Sequence, residues 1–567
     1  MTAEPDAIHY RRLRAPRDDG AALIDPPLVV ARDWLQQSAA LAGQGVSSSL
    51  LAENAQRAAS YDCQGRWLTE LSQSARLALL SRAVDYTRGY RDLDLPPVEQ
   101  LAQQPLILAG HQPTLFHPGV WFKNFALSNL ARLAGGTAVN LVVDNDTLRA
   151  ATIRVPAGSV AAPLLENVPF DDASTEMPFE ERRLKSADVF DSFAERTCAT
   201  LQPFIDQSRL ASYTPLVRRL GRCAQQARRR QPGDVPLGWL VAEGRHRLEG
   251  ELGLATLELP LSQLADTDEF RWFVAHLLAE LPRFRQVYNE ALADYREANG
   301  VRSRSHPVPD LAVDDDWLEA PLWIWSTAQP QRRHLFARHC RGGVELSDRH
   351  GFQMKLSASG ASSGQSVVEQ LASLRAQGIK IRPRAIITTM FSRLILSDLF
   401  LHGIGGAKYD ELTDAIIRRF WDFSPPLYLT LTATTLLPIA RPQLTVDDLR
   451  RHQRQLRELD YHPELFAADV PEAGREAFAR VVAHKQDLLE RGWPADKKRA
   501  WHRELAACNA QLGAKLAAVR RRLEVTAPEL SEQLLTAQRL GSREFSFCLF
   551  PEETLPEQLR KLSALPL

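Results

Sequence analysis

No two of the six cysteines, Cys63, Cys198, Cys223, Cys340, Cys508 and Cys548, form a C-x-x-C pair, and their spacing fits no zinc-ligand pattern. Neither a disulfide framework nor a thiolate metal site is expected, and no metal ligands are assigned. Net charge is lacking as well: 69 Lys and Arg stand against 69 Asp and Glu. That balance removes the global basic field on which non-specific nucleic-acid binding depends, so no nucleic-acid partner is expected, although a local basic patch stays open. Long apolar runs are missing too. The most membrane-like charge-free stretch, 425–440 (PPLYLTLTATTLLPIA), is rich in Thr and Pro and falls short of the roughly 20 residues a spanning helix needs, so no membrane association is read. The opening residues, MTAEPDAIHYRRLRAPRDD, carry charges where a signal peptide needs an apolar core, which makes a reducing cytoplasm the expected setting.

Familiar signatures are equally scarce. There is no G-x-x-x-x-G-K-[ST] phosphate loop and no G-x-G-x-x-G dinucleotide fingerprint, and neither a serine nucleophile elbow nor an H-E-x-x-H zinc helix is supported. No repeat with a period of 20–50 residues argues for a solenoid. What remains is an ordinary globular composition, 44% hydrophobic and 24% charged, over a chain of 567 residues, enough for roughly three to four units at about 150 residues each.

Apolar residues at helical spacing, among them Leu68, Leu71, Ala75, Ala78 and Leu79, mark an N-terminal helical section over 1–104. Leu106 to Ala109 then reads as a short buried strand that delivers a loop at Gly110. Trp121, Phe125, Leu130 and Leu133 share one helical face up to Gly135-Gly136, and Ala138 to Val143 is a second buried strand. This strand, loop, helix, strand unit predicts a parallel sheet over 105–155, whose ligands lie beyond the carboxyl ends of the strands. An inserted, aperiodic connective subdomain is expected over 156–300. The sheet is expected to resume over 301–445, with an aromatic strand-like ending to His306–Trp325 and a third buried strand at Ala385 to Met390. Gly351 to Gln365 reads as a lid or a linker. From 446 to 542 two amphipathic stretches, Glu472 to Arg491 and Asp496 to Leu523, predict a helical hairpin or coiled-coil arm; Trp501, Leu505, Cys508, Leu512, Leu516, Val519 and Leu523 form its seam, with a break at Gly492-Trp493-Pro494. The arm packs on its own chain or makes a homodimer. A tail occupies 543–567.

Three constellations are chemically suggestive. The first is Gly110-His111-Gln112-Pro113-Thr114-Leu115-Phe116-His117-Pro118-Gly119, followed by Trp121, Lys123 and Asn124. A strand entering a Gly/Pro loop and then a helix N-terminus offers backbone N–H groups to an anion. His111 and His117 are candidate phosphate donors or an acid and base near neutral pH, with Gln112 beside them and Lys123 within reach of a carboxylate or phosphate. Such residues also cap loops. The second is Asp144-Asn145-Asp146 at the end of the next strand, suited to an amine, a ribose or magnesium, or to a plain turn. The third is Arg393 with the run that starts at His402 and continues through Gly403, Gly405, Gly406, Lys408, Tyr409 and Asp410, a candidate Gly-rich loop for an anionic ligand or a turn.

In this order the pieces resemble the cysteine-adding enzymes (cysteine ligases) of bacillithiol biosynthesis, as a distant member from about Leu106 onward. Those enzymes carry a G-Q-Q-P-x-L-F-x-G-P loop before a Lys-containing helix, where this chain has Gly110 to Gly119 and Lys123. Their acidic E-D-H-D loop corresponds to Asp144-Asn145-Asp146. An L-R-P segment and a G-G-P-G-E-I-A-Y loop correspond to Ile381-Arg382-Pro383 and Gly403 to Glu411, and an L-x-P-x-x-x-L-Q-E-R tail to Leu549 to Gln558. The resemblance implies an α/β chain with a Rossmann-like, nucleotidyltransferase-related parallel-sheet core, inserted connective segments, a dimerising C-terminal coiled-coil arm and a tail that returns to the core. It implies a ligase that joins cysteine to a glucosaminyl-malate-like small-molecule acceptor, with ATP and magnesium as expected cofactors. The His111 loop would then take the nucleotide or acyl phosphate, Asp144 and Asp146 the amine-bearing substrate, and the Gly405 loop a second anionic group. Departures touch each motif: His111 stands where those enzymes have Gln, the acidic loop lacks its His and one acid, and Ala407-Lys408 replaces a Pro-Gly-Glu run. Another amide ligase or a nucleotidyltransferase on the same core, and a non-catalytic scaffold acting through the arm, are the competing readings.

Overall fold

A computed structural model gives the positions of residues 13–42, 52–208, 210, 212–231, 233–357, 363–492 and 497–564. Its architecture is mixed α/β around a mostly parallel sheet. Across that sheet the strands run Ala21–Asp25, Tyr428–Thr434, Leu399–His402, Leu106–His111, Thr137–Val142 and Leu257–Pro260, and all neighbours are parallel except the first pair. The apolar run Leu106 to Ala109 explains its own place. Side chains alternate across a strand, so Leu106 and Leu108 enter one hydrophobic core while Ile107 and Ala109 enter the other, and a strand buried on both faces must be apolar throughout.

The helix Pro118–Ala134 returns the chain to the neighbouring strand. Pro118 occupies its first turn, the His117 side chain caps it by accepting from the Gly119 N–H, and Gly135 stops it at a φ of 59°, a left-handed conformation that glycine adopts freely. The strand expected to begin at Ala138 begins at Thr137. Within the expected insertion, Leu257–Pro260 joins the edge of the central sheet, so that segment contributes to the core and does not merely interrupt it.

Two expectations are overturned between residues 301 and 400. The aromatic segment ends in the strand Trp317–Ser326, but it belongs to a separate antiparallel sheet with Gln329–Cys340, Gly343–Ser347, Gln353–Ser357 and Ile379–Pro383. Ala385 to Met390, expected as a strand, is helical as Ala385–Phe391. A stretch of six residues is too short for periodicity to distinguish strand from helix; here the hydroxyls of Thr388 and Thr389 bond back to carbonyls of Arg384 and Ala385, four residues earlier. The Gly/Ser-rich segment includes the edge strand Gln353–Ser357 and the start of the helix Ser363–Ser373. It also holds a G-x-S-x-G run, Gly360 to Gly364, whose Ser362 lies outside the described residues.

The arm is built from Val446–Tyr461, Glu472–Arg491, Lys498–Lys515 and Ala517–Leu540. Its second expected stretch is two helices, because Leu516 leaves helical geometry. The seam residues Leu512, Leu516 and Val519 close against Leu459, Val470 and Phe478 of the same chain, a small core separate from the other two. Trp493 and Pro494, part of the expected break, lie outside the described residues. No helix among the described residues is long and apolar enough to cross a membrane.

Candidate functional site

Where the parallel strands end, the sheet opens into a cavity of about 880 Å³, walled on its far side by Trp323, Arg332 and Pro383 of the antiparallel sheet. Gly110, His111, Gln112, His117, Lys123, Asn145, Asp146, Gly403, Gly405, Gly406 and Tyr409 all line it, so the structure draws most of all three constellations together. Parallel strands place consecutive loops at one edge, which makes this convergence a consequence of topology.

The remaining candidates serve the frame. Asp144 is fully buried and turned away from the cavity. Its carboxyl accepts from the Ser262 N–H at 2.8 Å, the Ser262 hydroxyl at 2.5 Å and Trp239 Nε1 at 3.0 Å, and burial, with the Glu180 charge, pushes its pKa up to about 6. It holds the 144–146 turn and is not placed to meet a substrate amine. Asn124 donates to Glu249 at 2.7 Å. Lys408 is exposed on the helix Ile404–Ile416. The Gly-rich run is not a loop: Gly403 caps this helix and Gly405 and Gly406 lie in its first turn.

Around His111 the electrostatics differ from the sequence-based expectation. Its Nδ1 donates to the Gln112 carbonyl at 3.1 Å, an assignment forced by a carbonyl that only accepts, which leaves Nε2 as a lone pair. Burial, then the neighbouring Lys123, lowers its pKa to about 3, so at neutral pH His111 is an acceptor and not a cationic phosphate donor. His117 is also shifted down, by burial, against the opposing pull of Glu544. Lys123 is the group poised near neutrality. Its Nζ donates to the Gly110 carbonyl at 2.6 Å, and burial, with the charge of Arg245, lowers its pKa to about 7.

The third constellation works through His402, the last residue of its strand. Asp410, in the second turn of the following helix, accepts from His402 Nε2 at 2.6 Å and from Arg393 at 3.1 Å; Arg393 also reaches Asp414 at 2.6 Å. Burial alone would raise the Asp410 carboxyl, but the charges of His402 and Arg393 outweigh it and hold it well below the usual carboxylate range. Arg393 and Asp410 thus stand behind His402, which lines the cavity. A side chain at Gly406 would approach His402 Nδ1 to 2.4 Å, so the close packing of helix on histidine requires glycine there.

Several lining residues carried no local signal. Arg332 and Arg384 lie 4.8 Å and 4.5 Å from the Trp323 ring, the first paired with Asp146 at 2.9 Å and the second with Glu319 at 2.6 Å. Arg332 lies in the antiparallel sheet, and Arg384 follows that sheet's strand Ile379–Pro383 as the cap of the next helix. Arg543 and Glu544 arrive from the segment after the arm. Asp146, which also accepts from Gln112 at 2.8 Å, ties the first two loops to that sheet.

Deeper in the core, His246, Glu249 and Glu258 come close enough to suggest a metal centre. Arg245 already occupies it electrostatically, at 2.8 Å from Glu249 and 2.5 Å from Glu258, and both nitrogens of His246 are engaged, with Tyr90 and Arg91 at 2.7 Å each. The cluster compensates a buried guanidinium. No protein-family model matches the chain, and no curated protein matches it.

Proposed function

We propose that the chain is an amide-forming ligase of the cysteine-adding kind, with a Rossmann-like core, acting on small molecules at the carboxyl-edge cavity in a reducing, cytoplasmic setting. The observation that carries this reading is the pairing of a lysine near its titration midpoint, Lys123, with a neutral histidine, His111, beside donors for an anion.

Amide formation in water needs an activated carboxyl group and an unprotonated amine. The amine nitrogen attacks the carbonyl carbon, the activating phosphate or nucleotide leaves with its bonding electrons, and one proton must be removed from the nitrogen. Unprotonated Lys123 takes that proton, since one N–H serves the Gly110 carbonyl and the lone pair is available to the cavity. The His111 Nε2 lone pair accepts a hydrogen bond from the amine and orients it. The cationic side chains Arg332, Arg384 and Arg543 fit a phosphoryl group such as that of ATP, which would supply the activation. Magnesium is less well served: among the described residues the carboxylates lining the cavity are Asp146, paired with Arg332, and Glu544, within 3.5 Å of His117 and Arg543. Leu489, Val525 and Leu535 are exposed on the arm, which supports its reading as a coiled-coil-like element that pairs two chains.

Incubation with ATP, magnesium, cysteine and glucosaminyl malate, followed by mass spectrometry, should show the cysteinyl amide. Lys123→Met should lower kcat by roughly 10²–10⁴, and the wild-type rate should rise with pH through about 7, as Lys123 loses its proton. A Lys123→Met enzyme with wild-type kcat would refute the base; absence of the amide with every component present would refute the reaction.

A further inference from the structure

Two helices begin at the carboxyl edge of the central sheet, and their first turns differ. In Pro118–Ala134 the His117 ring accepts from the Gly119 N–H, so that end supplies its own partner. In Ile404–Ile416 the capping residue is Gly403, which has no side chain to accept, and nothing among the described residues accepts from the N–H groups of Ile404, Gly405 and Gly406. All four residues line the cavity, and a Cβ built on Gly403 or on Gly405 would meet nothing within 4 Å. Bare donors and open space therefore coincide at the helix end that carries partial positive charge.

A side chain independent of the helix points the same way. His402 is 6% exposed and lines the same cavity. Its Nε2 donates to Asp410 at 2.6 Å, but its Nδ1 has no partner among the described residues. That nitrogen lies at the first turn of the helix, where a Cβ on Gly406 would come within 2.4 Å of it. It is not sealed in the core as the unpartnered Asp410 Oδ1 is. A negative group beside the ring favours its charged form, in which both nitrogens donate, one to Asp410 and one into the cavity.

We propose that an oxyanion of the ligand, phosphoryl or carboxylate, binds across His402 Nδ1 and the bare N–H groups of Ile404, Gly405 and Gly406. The inference rests on reading the cavity as a small-molecule site, but not on the amide-forming reaction. The Asp410 carboxylate, itself held by Arg393 at 3.1 Å, fixes the ring through Nε2 and leaves Nδ1 for the ligand.

Titration calorimetry on the full chain with inorganic phosphate and with malonate tests it, the first standing for phosphoryl groups and the second for carboxylates. Wild type should bind at least one. Gly403→Asn puts a capping side chain where the backbone, at φ −81° and ψ 167°, already has the extended conformation of a cap. The new amide oxygen takes the helix N–H groups without adding charge, so anion binding should weaken roughly tenfold while the melting temperature does not fall. His402→Gln keeps an N–H for Asp410 but loses the ring's charge, and should also weaken binding roughly tenfold. Wild type that binds neither anion, or either variant binding as tightly as wild type, overturns the proposal. Should a variant fail to fold, wild-type crystals soaked in tungstate decide: an anomalous peak at the N–H groups of residues 404–406 beside His402 supports the site, and a peak confined to other places overturns it. Amide formation by Gly403→Asn at the wild-type kcat/KM would sink this inference alone; anion binding lost in Gly403→Asn, with no amide made by wild type, would sink the ligase reading alone.

Discussion

His111 and His402 end neighbouring parallel strands and face the same cavity, yet they meet opposite surroundings. His111 has Lys123 nearby and, among the described residues, no carboxylate that offsets it, so burial and that positive charge strip its proton. His402 lies 2.6 Å from a buried carboxylate that Arg393 holds in place. Topology put both rings at the sheet edge; the residue each helix carries in its opening turns decided what each ring can do.

The largest way to break this contrast is Asp410→Asn, which leaves the buried Arg393 and His402 facing a neutral group. Loss of one partner from a buried ion pair costs about 3–5 kcal/mol, measurable by denaturant titration; a loss below 1 kcal/mol would show that the network is not structural. Gly406→Ala comes next. Its new methyl must displace His402 or the helix, at about 1–3 kcal/mol for overpacking, and a crystal structure should show the imidazole moved. An unmoved ring with unchanged stability would rule out the close packing. At neutral pH the smallest effect is that of His111, which appears only in acid. Its folded pKa lies near 3, below the ordinary 6.5 of an unfolded histidine, so the unfolded chain binds the extra proton between those values and stability falls as pH drops from 6.5 towards 3. His111→Gln should flatten the acid limb by up to about 1.4 kcal/mol per pH unit; an identical limb would mean His111 titrates normally.

The legible parts were those written in short stretches of chain. Leu106 to Ala109, the helix after His117 and Glu472–Arg491 follow from patterning and stop signals, and the last has the expected bounds. Ala385 to Met390 was misread because a six-residue stretch with few apolar positions does not distinguish strand from helix by periodicity. Arg332 and Arg543 escaped notice because nothing near them in sequence marks a site, and Arg384, although it directly follows Ile381-Arg382-Pro383, was not singled out; all three matter through where two sheets and the end of the arm meet.

The sequence by itself determined the strands that must be buried on both faces, the glycines and prolines that bound the helices, and the ordered loops that a parallel sheet gathers at one edge. Only the tertiary structure decided which of those polar residues face the cavity and which, like Asp144 and Arg393, brace it. It also decided the protonation of His111 and Lys123. Side-chain identity sets a reference pKa, but desolvation and neighbouring charges are properties of the packed molecule, fixed when distant segments close around each group.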